Sequence, residues 1–287
     1  MRVPNTEFII KNPFPSEIDD AAENYVEATK VHRRTMGLDL PNISKVSAMT
    51  EVIKATFHST KSVSGPRDIF LPEPGSITFE KQSQEQPISD RLADVLRRRS
   101  SVREILPSAP ISLEMLSYLL WCADGVTKEI QPGQRGRTAP SGGALYPRDI
   151  YCVTSTNNAL PTLSGATWHY NPYTHALEWI SDSGLEKVFD YEWHQSVIKH
   201  AQACLIVSGN FWRNRFKYNL RGTRFAHLEA GMVTENFLLA STVCGVQAMP
   251  FGGYFDDELA QACGMDGLHE APLSVVLFGG QVNGHGA

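Results

Sequence analysis

Two segments in the second part of the chain carry apolar residues at the three- and four-residue spacing of an amphipathic helix. The first, ISDRLADVLRRR, spans residues 88–99, and Ser89 lies where an N-cap is expected. The second, SLEMLSYLLWCADG, spans residues 112–125, with Ser112 in the N-cap position and Gly125 where the helix should end. Both segments are therefore predicted to be helices that bury one face.

Five short segments rich in β-branched, aromatic and other apolar residues predict strands. Helices are predicted between them, and this order indicates an α+β fold in which helices cover one central sheet. The five segments are residues 148–155, 167–172, 176–180, 203–209 and 272–280.

The longest helix is predicted over RFAHLEAGMVTENFLLASTVCG, residues 224–245, where Gly245 supplies the C-terminal signal. Gly231 in its middle costs about 1 kcal/mol relative to alanine, so we expect another backbone to pass close to it. Shorter helices are predicted within residues 183–199 and 256–263.

The pattern is weaker in the first part of the chain. Helical pieces are predicted at residues 25–36 and 45–59, and the proline-bearing residues 65–76 should be extended and irregular. We therefore divide the chain into an N-terminal extension, residues 1–87, that packs on the core or binds a peptide, and a folded domain, residues 88–287.

Composition limits the functions that the chain can serve. It has 287 residues, a formal net charge of −5 and a pI near 6.0, so a general attraction to nucleic acid or anionic lipid is not expected. No apolar run approaches the length of a membrane span, and the start lacks the apolar core of a signal peptide. The five cysteines are widely spaced and form no C-x-x-C pair. We therefore expect a soluble cytoplasmic protein with reduced thiols.

The segment RRRSSVRE follows the first predicted helix and contains a candidate phosphate site. Arg99, Ser101 and Arg103 are spaced two apart, so an extended chain presents all three on one side. Two guanidiniums and a hydroxyl suit a phosphate monoester, because guanidinium donors bind phosphate oxygens in pairs. The alternative is that arginines at a helix C-terminus only complement the helix dipole.

Two glycine-containing turns are candidates for a cofactor site. Pro140, Ser141 and Gly142 lie in RTAPSGGALYPRDIY, where the paired glycines let backbone amides approach a flat ring or an anion. Gly252 and Gly253 follow a short apolar strand and suit the same purpose. An ordinary loop and a plain strand–turn–helix link remain the alternatives.

The sequence carries no signature of several common enzyme classes. The dinucleotide fingerprint G-x-G-x-x-G, the phosphate loop G-x-x-x-x-G-K-[ST] and the zinc motif H-E-x-x-H are missing. His194, His200 and His227 lack the spacing of metal ligands, so no metal site is expected. These absences weigh against a Rossmann dehydrogenase, a P-loop enzyme and a zinc hydrolase.

The segment RNRFKYNLRGTRF, residues 213–225, is basic and contains no acid, in an otherwise acidic chain. It is a solvated basic face, a nucleic-acid patch, or a lysine and tyrosine, Lys217–Tyr218, held for proton transfer. Net acidity and the lack of interleaved aromatics disfavour the nucleic-acid interpretation. From spacing alone, the favoured interpretation of Lys217–Tyr218 is a lysine that extends along the surface beside a core tyrosine.

Taken in order, these motifs resemble the nitroreductase-like flavoproteins, and within them the SagB-type, or McbC-like, azoline dehydrogenases. The resemblance covers about residues 88–280, and Lys217–Tyr218 with the following RGTRF is typical of the peptide-modifying branch. It implies an α+β nitroreductase-like fold, with a mostly antiparallel sheet flanked by helices and an intertwined homodimer. The activity that it implies is the FMN-dependent oxidation of thiazolines and oxazolines in ribosomal peptides to thiazoles and oxazoles.

The resemblance implies that eight residues hold FMN, partly at the homodimer interface. Many members of the family also carry a basic residue near the C-terminus that binds the phosphate, whereas this chain offers only His285 there. The eight are the phosphate and ribityl contacts Arg99, Ser101 and Arg103, the ring-lining Pro140, Ser141 and Gly142, and Gly252 and Gly253 beside the reactive edge.

The resemblance makes Lys217 and Tyr218 the catalytic residues. Aromatising an azoline removes a proton from carbon and a hydride that passes to the flavin. Lys217 would take the proton, because burial and neighbouring positive charge favour the neutral amine, and Tyr218 would relay a proton or bind the azoline heteroatom. Adjacent residues of a helix point about 100° apart, so both reach one substrate only if the helix ends or bends near Asn219. Glu229 is expected at the helix surface or an interface.

The implied partners are a second copy of the chain, an azoline-containing precursor peptide and a cyclodehydratase complex, with molecular oxygen reoxidising FMN. Three alternatives stay open. They are an NAD(P)H-dependent nitro- or flavin-reductase, a flavin-dependent desaturase of another substrate, and a flavin-free scaffold that docks a peptide.

Overall fold

The computed structural model describes residues 60–74 and 88–281, together with Tyr25. The helical pieces predicted at residues 25–36 and 45–59 lie outside the described residues, except that Tyr25 is helical. The N-cap prediction for Ser89 is wrong, because the helix already begins at Ile88. The C-terminal His285 lies outside the described residues.

A seven-stranded sheet forms the centre of the molecule, and every neighbouring pair of its strands is antiparallel. The strand order is β1-β6-β5-β4-β7-β9-β8, and a separate hairpin pairs β2 with β3. The strands are β1 (Ile69–Phe70), β2 (Val126–Gln131), β3 (Gln134–Arg137), β4 (Arg148–Thr154), β5 (Thr167–Asn171), β6 (Ala176–Ser181), β7 (Ala203–Asn210), β8 (Val246–Pro250) and β9 (Glu270–Gln281).

Helices cover both faces of this sheet. A long helix packs with a shorter one on one face, and three short helices cover the other, so that two apolar cores form. The helices are α1 (Ile88–Arg98), α2 (Leu113–Asp124), α3 (Leu185–Val188), α4 (Glu192–Ile198), α5 (Trp212–Tyr218), α6 (Leu220–Cys244) and α7 (Asp256–Ala262). None of the helices in the described part of the chain is long and apolar enough to cross a bilayer.

Strand β4 lies in the middle of the sheet, and all of its residues are buried. Its side chains alternate between the faces. Ile150 and Cys152 enter the core under α2 and α6, whereas Tyr151 and Val153 enter the core under α3, α4 and α7. The two charged residues that open the strand, Arg148 and Asp149, therefore begin on opposite faces of the sheet.

The predicted helix boundaries are mostly confirmed. Ser112 caps α2, since its hydroxyl accepts the Met115 N–H at 3.2 Å. The long helix ends at Gly245 in the left-handed conformation, φ 66°, as expected. Gly125 ends α2 for a different reason: its φ is −67°, and a methyl group there would lie 2.2 Å from the Trp121 ring.

Three features differ from the predictions. The long helix begins at Leu220 rather than residue 224, and the hairpin β2–β3 was not predicted. The expectation that another backbone passes close to Gly231 is wrong within this chain. Gly231 is exposed, and nothing among the described residues lies within 4 Å of a methyl group placed on it.

Candidate functional site

A strained turn joins β3 to β4 and forms one wall of the site. It contains a single 3-10 turn, Gly142–Ala144, in which Gly143 has φ 67°. Two residues with side chains, Ala144 and Tyr146, are also left-handed, with φ 52° and 45°. Such conformations cost energy and persist only where the surrounding structure imposes them.

Buried charged side chains hold this turn in place. Arg148 is fully buried, and its guanidinium donates to Asp124 at 2.6 Å and contacts Glu229. Arg137 binds the same Asp124 at 2.7 Å. Two guanidiniums and two carboxylates therefore balance in an apolar interior, which is what allows the charges to be buried.

Arg148 and Glu229 hold consecutive residues of the turn. Arg148 donates to the carbonyl oxygens of Ala139 at 2.9 Å and Pro140 at 3.3 Å. Glu229 Oε1 accepts the Ser141 hydroxyl and the Gly142 N–H, each at 3.0 Å. Each residue from Ala139 to Gly142 therefore makes a hydrogen bond to a buried charged side chain, Ser141 through its hydroxyl and the other three through the backbone.

Glu229 is buried, 4% exposed, so its expected place at the helix surface or an interface is wrong. Burial raises the pKa of Glu229, while the charge of Arg148 and the hydrogen bonds from Gly142 and Ser141 act in the opposite direction. One feature of the sequence points to a buried acid. RDIYCVT is a buried strand that begins with an arginine, and a buried arginine requires a carboxylate partner. The sequence does not show which helix supplies that acid.

The helical backbone breaks between α5 and α6. Asn219 has φ 50° and ψ −140°, so α5 ends at Tyr218 and α6 starts at Leu220. The condition stated for Lys217 and Tyr218, that the helix end or bend near Asn219, is therefore met. It leaves Lys217 and Tyr218 on the last turn of a short helix, where both side chains are half-buried.

Lys217 and Tyr218 converge on Gly143. A methyl group placed on Gly143 would lie 2.6 Å from Tyr218 Oη and 3.2 Å from Lys217 Nζ. Lys217 Nζ lies 5.3 Å from the centre of the Tyr218 ring, and Phe225 packs edge-on against that ring at 5.1 Å. Only a residue without a side chain allows both groups to reach this turn.

Tyr218 is held in its protonated form. Burial raises its pKa, and the nearby Glu229 carboxylate raises it further. A phenol in this state donates a hydrogen bond and does not act as a phenolate base. Tyr218 is therefore suited to donate a hydrogen bond to a group bound beside this turn.

Arg99, Ser101 and Arg103 lie at another part of the chain surface. The Val102 N–H donates to the Ala248 carbonyl at 3.2 Å, which places this segment beside β8. Arg99 is half-buried, and Ser101 and Arg103 are exposed. No hydrogen bond or ion pair within the described residues joins the three side chains to the turn at residues 139–146.

Gly252 and Gly253 follow β8, and their surroundings differ. Gly252 is exposed, with open space around it, so a flat group can approach its backbone. A methyl group on Gly253 would lie 2.5 Å from the Trp193 ring, and His194 Nε2 lies 2.5 Å from the Gly253 carbonyl oxygen. The Trp193 ring therefore occupies the side of Gly253 on which a side chain would lie.

Two arginines of the basic segment, residues 213–225, make contacts with other side chains and are not simply exposed to solvent. Arg213 binds the buried Asp149 on the neighbouring strand, and the Arg215 guanidinium stacks on Trp212 at 4.7 Å. Asp149 therefore supplies an acid partner to a segment that contains no acid of its own. Sequence proximity alone did not show it, because the acid lies 64 residues away.

Comparison with known proteins bears on the family and the fold of the chain. The model of the Nitroreductase family matches residues 96–280. MJ1384 of Methanocaldococcus jannaschii, a nitroreductase by name, is 32% identical over 194 residues, covering 67% of this chain and 92% of its own. The microcin B17-processing protein McbC of Escherichia coli is 30% identical over 155 residues, covering 52% of this chain and 56% of its own.

Two solved structures carry the same fold. A Ralstonia eutropha protein, named as a nitroreductase, superposes with a TM-score of 0.59 at 27% identity over 79% of this chain and 95% of its own. A chain of the E. coli microcin synthetase McbBCD complex, solved with truncated pro-MccB17 bound, gives a TM-score of 0.52 at 24% identity. It covers 94% of this chain and all of its own. The predicted nitroreductase-like α+β fold is confirmed.

Proposed function

Since the chain belongs to the nitroreductase family, we propose that this oxidoreductase uses FMN to oxidise thiazolines or oxazolines of a peptide to thiazoles or oxazoles. The convergence of Lys217 and Tyr218 on Gly143 carries this proposal. The similarity to McbC, a microcin-processing protein, supports a peptide as the substrate.

The residues present fit a flavin mononucleotide. Arg99 and Arg103 make no side-chain hydrogen bond or ion pair with the described residues, so their donors are available to a phosphate. The tied turn at Pro140–Gly142 offers a rigid, side-chain-poor wall for a flat ring, and Gly252 offers a second open backbone. We assign Arg99, Ser101 and Arg103 to the phosphate and ribityl chain, and Pro140, Ser141, Gly142, Gly252 and Gly253 to the ring.

When bound, FMN supplies the two-electron oxidant that takes a hydride from the azoline ring. The other hydrogen leaves carbon as a proton, and the Lys217 amine accepts it, so that the ring loses two hydrogens and becomes aromatic. Tyr218 donates a hydrogen bond to the azoline heteroatom, which suits its protonated state. Lys217 therefore removes the proton, and Tyr218 orients the substrate.

The buried network holds these groups in place and does not itself react. Glu229 and Arg148 fix the turn that faces Lys217 and Tyr218, so the distances at the site are set before the substrate arrives. Such positioning lowers the entropic part of the barrier.

We also propose that the enzyme is a homodimer that works with a cyclodehydratase. The solvent-facing side of α6 supports the dimer, because Leu228, Gly231 and Met232 leave an exposed apolar strip on one helix. Met232→Glu should convert the dimer to a monomer in sedimentation measurements, whereas Leu268→Glu, at an exposed apolar residue elsewhere, should not. A monomeric wild type would contradict the assignment.

The reaction is tested with purified Lys217→Ala and Tyr218→Phe variants and an azoline-bearing peptide. Both variants should keep bound yellow flavin and release peptide that retains the two hydrogens by mass. Arg67→Gln, which removes an exposed ion pair with Asp182, is the control and should oxidise the peptide normally. Full activity in both site variants would overturn the catalytic assignment.

An NAD(P)H-dependent nitro- or flavin-reductase is the second candidate, favoured by the similarity to MJ1384. Stoichiometric consumption of NAD(P)H with a nitroaromatic compound, and indifference to azoline peptides, would establish it instead. A purified protein without visible absorption would point to a flavin-free scaffold.

A further inference from the structure

Asp149 lies on the opposite face of the sheet from Arg148 and collects contacts from two separate parts of the chain. Its carboxylate is fully buried. Oδ2 contacts the Arg213 guanidinium, whose other arm donates to the Arg148 carbonyl at 3.1 Å. Oδ1 accepts the Thr60 hydroxyl at 3.0 Å and the Lys61 N–H at 3.2 Å. One carboxylate therefore ties both α5 and the N-terminal segment to β4.

Arg213 is well placed to fix the orientation of α5. It lies four residues before Lys217, so the two side chains share one face of the helix. A helix of only seven residues has little stability of its own, and tertiary contacts must set its rotation. Among the described contacts, the pair Arg213–Asp149 is a buried charge pair that joins this helix to the sheet.

Residues 60–63, which we call the arm, complete the same network. Lys61 Nζ donates to Tyr151 Oη at 3.1 Å and lies 3.5 Å from Glu270, and the Val63 N–H donates to Glu178 at 2.9 Å. His169 bridges Glu178 and Asp149, at 3.0 and 3.5 Å. The arm thus supplies both a cation and backbone donors to carboxylates that are otherwise buried beneath it.

From this arrangement we propose that Asp149 and the arm form a clamp that positions α5, so that docking of the arm sets the placement of Lys217 and Tyr218. Asp149 and Lys61 are positioning residues, because they contact the helix or its anchor and do not reach the turn at Gly143. The proposal rests on the proposed function only in naming Lys217 and Tyr218 as the groups that are positioned.

The test compares Lys61→Met with wild type by hydrogen–deuterium exchange in the full-length protein. Lys61→Met removes the contacts of the ammonium with Tyr151 and Glu270, which hold the arm on the sheet. Lys61 does not touch α5, yet the amides of residues 211–219 should exchange about tenfold faster, because a loosened arm weakens the hydrogen bonds that hold Asp149 in place. With an azoline peptide, kcat of Lys61→Met should fall about tenfold with KM nearly unchanged. Lys61→Arg should restore both the exchange rate in α5 and kcat. Thr60→Val, which removes one hydrogen bond to Asp149, is the milder variant if Lys61→Met folds poorly.

Arg67→Gln serves as the control, since Arg67 lies near the arm but pairs with the exposed Asp182. Its exchange in α5 should match wild type. Faster exchange confined to the arm, with α5 unchanged in both Lys61→Met and Thr60→Val, would overturn the clamp. Exchange needs no substrate, so a wild type that fails to oxidise azolines while α5 responds to Lys61→Met would refute the proposed function and leave the clamp standing.

Discussion

Gly143 lets Lys217 and Tyr218 approach the turn, because any Cβ there would overlap Tyr218 Oη. Gly143→Ala should lower the free energy of unfolding by about 1–2 kcal/mol, since an L-residue is strained at positive φ. It should also reduce azoline oxidation about a hundredfold, because Lys217 and Tyr218 must move aside. Urea unfolding and peptide mass spectrometry measure the two effects.

Gly65→Ala is the matched control for that substitution. Gly65 has no positive φ, and its nearest neighbour to a methyl group is at 3.8 Å. The control should leave stability and activity close to wild type. An active, stable Gly143→Ala protein would show that the turn and the two side chains do not meet as described.

Glu229 is a residue whose charge supports the site from below. Glu229→Gln should lower the free energy of unfolding by about 3 kcal/mol, because the Arg148 guanidinium loses one of its two buried carboxylate partners. The exposed Glu235 on the same helix provides Glu235→Gln as a control, which should change stability little. Equal urea midpoints for the two variants would contradict the buried pair.

The sequence pointed to Lys217, Tyr218 and the glycine turn as candidates, but it did not show the buried charges that contact the turn. Glu229 reads as one of several acids on a long helix, and nothing in its neighbours distinguishes it from the exposed Glu235. Its partner, Arg148, is brought to it by strand pairing and not by spacing along the chain. Long-range pairing of charges is a property of the folded sheet.

The break between α5 and α6 decides where Lys217 and Tyr218 point. Asn219 has a backbone conformation that glycine adopts most easily, so Asn219→Gly should keep activity and raise stability slightly. Asn219→Ala favours a continuous helix that turns Tyr218 away from Gly143, and it should lower activity about tenfold. Activity assays with urea unfolding compare the pair, and equal activity would contradict the role of the break.

At the level of elements, apolar patterns predicted the strands that lie deep in the sheet. Strands β4, β7 and β9 are recognisable because they are runs of β-branched and aromatic residues buried on both faces. The hairpin β2–β3 was missed, since β2 is largely exposed and has no apolar run. The start of α6 was misplaced because the strained Asn219, and not a standard cap, separates it from α5.

Across the whole molecule, the buried acids and bases under the arm link stability to pH. Burial lowers the pKa of His169, but hydrogen bonds and charges from Asp149 and Glu178 outweigh it, so its pKa is raised above 6.5. Lys61 and Arg213 contact the same carboxylate network, and the Tyr151 ring lies 5.3 Å away. The two acids that flank the imidazole therefore favour its protonated form.

A raised folded-state pKa means that this stability is present in full below 6.5 and is lost as pH rises through the folded value. The urea midpoint should therefore be higher near about pH 6 than near about pH 8. His169→Gln should flatten this dependence, whereas His200→Gln, at a partly exposed histidine, should not. A midpoint that rises over this range in wild type would contradict the assignment.

The order of the strands and the joining of distant segments at Asp149 were beyond prediction from the sequence. Thr60 and Arg213 lie 89 and 64 residues from Asp149, and only the packed sheet brings them to one carboxylate. The family resemblance gave the architecture, whereas the contact between arm and sheet depends on individual side chains that only the folded chain brings together.

The central claim is that Lys217 removes the proton while the bound flavin takes the hydride from an azoline. Mixing the oxidised, flavin-loaded enzyme with an azoline peptide in the absence of oxygen tests it most directly. The visible flavin band is expected to bleach in wild type as the peptide loses two hydrogens, and to persist in Lys217→Ala. Bleaching at the wild-type rate in Lys217→Ala, or no bleaching in the wild type, would contradict it.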